Sequence, residues 1–211
     1  MNVLDYASAR QMLLCCADAI ISNKPLLTEV DSKIGDGDHG IGMSIGMEKA
    51  KEVLWSMESG NNIYDLFRET GKAMLMNMGG ASGVIFGTMF TGGAKQGLLA
   101  ESMDTGTFAE MMWESLAAVK LRGKAQLGDK TMVDAFEPAV DAMRAYSGLD
   151  FEGMLEAAVT AAAAGVEKTK EIPARFGRAK FLGERSVGYQ DAGATSVWLL
   201  FQAMHRYLAG R

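Results

Sequence analysis

Asn62-Ile-Tyr-Asp-Leu-Phe-Arg-Glu-Thr-Gly-Lys-Ala-Met74 spaces its apolar residues as a half-buried helix requires. Ile63, Leu66, Phe67, Thr70 and Met74 fall on one face at about 3.6 residues per turn, and Asn62 stands where an N-cap belongs. The same spacing recurs on both sides of this stretch. Leu4, Ala7, Leu14, Ala17 and Ile21 form a stripe. Thr107 and Glu110 read as a capping box ahead of Met111, Leu116 and Val119. The alanine-rich run Leu155 to Val166 follows Asp150, a suitable cap, and Ala194 to Leu208 closes the chain as an apolar helix. Further helices are expected near 42–57, 81–98 and 133–146, with Pro138 in the first turn of the last or kinking it. No segment alternates convincingly with period two. The fold class expected is all-α: one domain over residues 1–211, an antiparallel barrel or bundle of about eight helices.

Composition agrees. The 211 residues are 48% hydrophobic and 22% charged, which suits a buried core rather than a disordered chain. A net charge of −5 argues against a general nucleic-acid binder, whose affinity comes from neutralising phosphates. No uninterrupted apolar run reaches the length of a membrane span, and Met-Asn-Val-Leu-Asp-Tyr does not read as a secretion signal. Cys15 and Cys16 are adjacent and point apart on a helix, which disfavours a disulfide and suits a reducing cytoplasm.

The expected connections are Asp31–Gly42, Met78–Gly83, Arg122–Met132, Ala174–Ser186 and Tyr189–Ser196. They are rich in Gly, Asp, Ser, Thr and Lys. Alternate loops of an up-and-down bundle gather at one end, so these five form a candidate ligand site.

Asp31-Ser-Lys-Ile-Gly-Asp36-Gly-Asp38-His39-Gly40 places three carboxylates among glycines. Such a cluster needs a counter-charge, and a hard, oxygen-preferring cation supplies one. The pattern does not match a calcium loop, and Mg²⁺ shared with nucleotide phosphates fits better. A solvated acidic turn whose aspartates cap helices is the competing reading. Gly79-Gly80-Ala81-Ser82-Gly83 opens a helix with free N–H groups that suit an anion, although it lacks the P-loop ending. Arg122-Gly-Lys with Asp129-Lys130-Thr131 offers cations and a hydroxyl near a helix start. From Lys168 to Arg185 six Lys or Arg face two Glu, a local charge of +4 whose Arg forks match phosphate oxygens. Asp191-Ala-Gly193 could cap the final helix or hold a ribose or base.

With these motifs in this order, the chain resembles the L-subunit family of dihydroxyacetone kinases, also the C-terminal nucleotide-binding domain of the single-chain enzymes. The resemblance implies an eight-helix antiparallel barrel with the nucleotide site in the loops at one end. It implies ADP or ATP as the nucleotide, with Asp31, Asp36 and Asp38 holding Mg²⁺. His39, Gly80, Ala81 and Ser82 would approach the phosphates. Gly123, Thr131, Met132, Arg178, Asp191 and Gly193 would frame the rest of the nucleotide. It further implies a kinase subunit that transfers a phosphoryl group to a small ketose held on a separate K subunit. A phosphotransferase-system M protein and a homodimer are further expected associations, and neither nucleic acid nor membrane is. One departure stands out: Gly42 occupies the position, three after the motif histidine, where many phosphotransferase-coupled members carry Asn. The alternative functions are a nucleotide-state-dependent partner of a transcription factor, without catalysis of its own, and a scaffold whose glycine loops only pack.

Overall fold

Three aspartates set where helices begin. Asp5, Asp104 and Asp150 accept the N–H of Ser8 at 2.8 Å, Thr107 at 2.7 Å and Gly153 at 2.8 Å. The computed structural model describes residues 1–209. Residues 210 and 211, part of the single domain expected from the sequence, lie outside the described residues. In chain order the elements are β1 (Val3–Asp5), α1 (Tyr6–Ser22), α2 (Lys24–Ile34), α3 (His39–Ser56), α4 (Ile63–Asn77), α5 (Gly80–Thr91), β2 (Ser102–Asp104), α6 (Thr105–Gly123), α7 (Val133–Ala145) and α8 (Phe151–Thr169). A 3-10 segment, Arg178–Ser186, broken at Gly183, precedes α9 (Ala192–Ala209).

The all-helical expectation holds in outline, and its details need correction. Nine α-helices occur among the described residues, rather than about eight. The additional one is α2, which buries only Leu27 and Ile34, too thin a stripe to read as periodicity. Two strands also form: β1 and β2 pair antiparallel with Leu4 opposite Met103. Three residues are too few to show alternation, and each strand needs its distant partner. Helix α6 is capped three residues earlier than expected, by Asp104 rather than Thr107. Helix α5 ends at Thr91, before Gly92 and Gly93, instead of reaching residue 98. Pro138 lies inside α7, beyond its first turn. In α1, Ala7 is exposed and the buried face runs through Ala9, Met12, Leu13, Cys16, Ala17 and Ile20.

The α4 stripe is buried as its spacing requires, and Asn62 Oδ1 accepts the Tyr64 N–H at 3.2 Å. Contacts between helices run from α1 to α3, onward in order to α9, and from α9 back to α1. Helix α2 lies against α3 and α9. Phe67, Phe108 and Phe151 fill the interior edge to face, with ring centroids 6.1 and 5.6 Å apart. Among the described residues no helix is long and apolar enough to cross a membrane.

Candidate functional site

The acidic stretch is more helical than expected. Asp31 sits in the last turn of α2, and only residues 35–38 form the turn into α3. Gly35 lets the Asp31 carboxylate fold over that turn: a Cβ there would lie 2.3 Å from Asp31 Oδ1. Asp31 Oδ2 accepts the His39 N–H at 3.3 Å. Asp36 Oδ2 pairs with Arg178 Nε at 2.7 Å, which ties the acidic turn to the basic 3-10 segment. Asp38 is exposed at the N-cap position of α3 but makes no side-chain capping bond.

His39 joins three helices. Its Nε2 lies 2.8 Å from Ser196 Oγ on α9, and its ring meets Phe86 on α5 at 5.8 Å. Ser196 Oγ is also within 3.1 Å of the Ala192 carbonyl of its own helix. Burial lowers the His39 pKa to about 4, against the opposing pull of Asp31 and the Ala192 carbonyl. The ring is therefore neutral at pH 7. A depressed folded-state value means that stability is fully present above the unfolded value of about 6.5 and is lost as pH falls toward 4. An NMR titration of the ring should find His39 neutral at pH 5.5; a midpoint near 6.5 would contradict this environment.

Helix α5 begins uncapped. Gly79 supplies no side-chain bond, Gly80 has φ +68° with open space where a Cβ would point, and Ala81 is exposed. The first N–H groups of α5 therefore have no side-chain cap, the arrangement that suits an anion. Met78, just before them, packs against Gly46 of α3; a Cβ at Gly46 would lie 2.5 Å from Met78 Sδ.

The 128–132 turn is heavily determined. Asp134 accepts the N–H groups of Gly128 at 2.6 Å and Thr131 at 2.7 Å. Asp129 accepts that of Gln126 at 2.7 Å. Lys130 adopts φ +59° and is buried, donating to the carbonyls of Thr169 and Tyr189 at 2.5 Å each. It is not a loop cation open to a ligand, and the sequence reading is corrected on this point. Met132 packs on Gly193, whose Cβ would lie 3.3 Å from Met132 Cβ; Gly123 faces Ile85 at 3.0 Å in the same sense.

Asp191 caps α9, accepting the Ala194 N–H at 2.7 Å, and its own N–H donates to Thr169 Oγ1 at 3.0 Å. Burial pushes the Asp191 carboxyl up to about 7, with Asp134 and Asp31 adding like charge against the Ala194 N–H and Lys130. Burial raises Asp134 as well.

Residues 33–206 match the DAK2 domain family. The chain belongs to the DAK2 domain family. It is 38% identical over 187 residues to the ADP-binding subunit DhaL of PEP-dependent dihydroxyacetone kinase 1 of Listeria innocua, covering 89% of each chain. It is also 38% identical over 191 residues to the corresponding DhaL subunit of Escherichia coli, covering 90% of each. A crystal structure of the C. freundii dihydroxyacetone kinase in complex with AMP-PNP and Mg²⁺ superposes with a TM-score of 0.74 at 27% identity. That match covers 94% of this chain and 33% of the longer one.

In this DAK2 domain Gly193 lies against Met132 and Asp191, His39 is held by Asp31 and Ser196, and Asp36 is paired with Arg178. The domain does not assemble a ready cation cage: among the described residues no group of three or more His, Cys, Asp or Glu is placed to hold a metal ion. The donors still suit a hard cation that takes few protein ligands and completes its shell with phosphate oxygens. Asp38 is exposed and makes no side-chain capping bond, and Asp31 lies over a glycine. At Gly42 the nearest atom to an added Cβ is Met78 Cε at 3.9 Å, ordinary contact, so packing does not explain the glycine. The sequence reading missed Ser196 as the partner of His39 and Asp134 as the organiser of its turn. Asp134, two residues after Met132, was the available sign.

Proposed function

We propose that this chain is the nucleotide-carrying subunit of a cytoplasmic dihydroxyacetone-type kinase, passing the terminal phosphoryl group of a Mg-bound nucleoside triphosphate, formed on bound ADP or taken up as ATP, to a small ketose on a separate K subunit. The supporting observation is identity of 38% over nine-tenths of both chains with ADP-binding subunits of PEP-dependent dihydroxyacetone kinases. We read the closed circuit of helices as a barrel and the whole of 1–211 as one domain with its site in the loops.

Phosphoryl transfer is chiefly positioning and charge neutralisation. Asp31, Asp36 and Asp38 would hold Mg²⁺, which when bound offsets phosphate charge. The N–H groups of Gly80, Ala81 and Ser82 at the α5 start would receive phosphate oxygens. Neutral His39, held by Ser196, offers a fixed edge beside them. Gly123, Thr131, Met132, Asp191 and Gly193 would frame the base and ribose. Arg178 would exchange Asp36 for phosphate, since an exposed ion pair is weakly held.

Nucleotide analysis of the purified chain by acid release, followed by challenge with labelled ATP and Mg²⁺, tests this. Retained ADP that does not exchange identifies a carrier recharged in place by a phosphoprotein, the M protein of a phosphotransferase system. Rapid exchange identifies an ATP-dependent subunit. A folded chain that binds neither nucleotide rules the proposal out.

A further inference from the structure

Lys130 stands apart from the other cations of the chain. It is 2% exposed, in a left-handed conformation that side chains other than glycine rarely adopt. Burying an ammonium costs free energy unless its donors are matched, and a left-handed lysine adds backbone strain. A methionine would fill the same space without the desolvation cost and with the same backbone strain. What the ammonium supplies is a bond in two directions at once, to carbonyls 39 and 59 residues away in sequence.

The two acceptors define a junction. Thr169 is the last residue of α8, where carbonyls lack helical partners and a cation is favoured. Tyr189 lies two residues before Asp191. The Thr169 side chain completes the link: its Oγ1 accepts the Asp191 N–H at 3.0 Å and donates to the Val166 carbonyl at 2.6 Å. Lys130 thus joins the turn carrying Thr131 and Met132 to the segment carrying Asp191 and Gly193.

We propose that Lys130 is a positioning residue of the nucleotide site, whose buried ammonium holds the 128–132 turn and the 189–193 segment at one fixed spacing. The proposal rests on the nucleotide-carrier reading. Lys130 touches neither nucleotide nor cation; it acts through Met132, Thr131 and Asp191. Small displacements of positioning groups cost far more in function than in stability.

The test measures Mg-ADP and Mg-ATP affinity by calorimetry for the parent chain, Lys130→Met, Thr169→Val and Leu54→Ala. Leu54 is fully buried near the end of α3 and serves as a destabilised control outside the junction. Lys130→Met is expected to weaken nucleotide binding about tenfold or more. Thr169→Val, which removes the acceptor of the Asp191 N–H, weakens it in the same direction and speeds hydrogen exchange at the Asp191 amide. Leu54→Ala lowers the melting temperature without changing affinity. Should Lys130→Met fail to fold, Thr169→Val against Leu54→Ala decides the matter. Parent-like affinity in the junction variants overturns the proposal and leaves the carrier reading intact. A parent chain that binds no nucleotide overturns both.

Discussion

Asp36→Ala is expected to abolish phosphoryl transfer, by about a thousandfold or more, in the complex reconstituted with a ketose-carrying partner. Asp38→Ala should do the same. Both substitutions leave the scaffold nearly untouched. Asp38 forms no capping bond, and Asp36 contributes one exposed pair with Arg178, an arrangement worth at most about 1 kcal/mol. Helical circular dichroism and melting temperature should match the parent while turnover disappears. Asp31 is a poorer probe, because its carboxylate also accepts the His39 N–H and its loss disturbs the turn. Near-normal turnover by a folded Asp36→Ala variant would remove the cation assignment.

Gly165→Ala should produce the larger structural effect. Helix α8 crosses α7 there so closely that an added Cβ would lie 2.1 Å from the Asp134 carbonyl oxygen and 2.9 Å from Ala135 Cα. Both neighbours are backbone, so no side chain can turn aside and the helices must separate. Overpacking of this kind costs about 3 kcal/mol, a fall in melting temperature of about 6–12 °C for a chain of this size. Asp134 also closes the 128–132 turn through its carboxylate, so nucleotide affinity should fall along with stability. A variant that melts within about 2 °C of the parent would show that the two helices have more freedom than their packing implies.

Local rules account for the parts of the molecule that were legible from the chain. The face of α4, its Asn62 cap and the Asp150 cap of α8 each depend on residues within one or two helical turns, and all formed as read. The glycine-spaced aspartates were visible for the same reason, although their helical half was not. Helix α2 escaped because a peripheral helix buries little. The strand pair escaped because Leu4 and Met103 are distant in sequence and meaningless singly.

Residue order thus carries eight of the helices, several of their caps and the chemical character of each loop, since these follow from backbone geometry and near neighbours. The tertiary structure alone decides which of those loop groups are spent inside the protein and which remain for a ligand. His39 meets Ser196 across 157 residues of sequence, Arg178 reaches Asp36, and Lys130 turns inward to two remote carbonyls. A charge in a loop reads alike whether water or a buried carbonyl receives it. Only the closing of long loops onto the helical scaffold, with the desolvation that follows, tells the two apart.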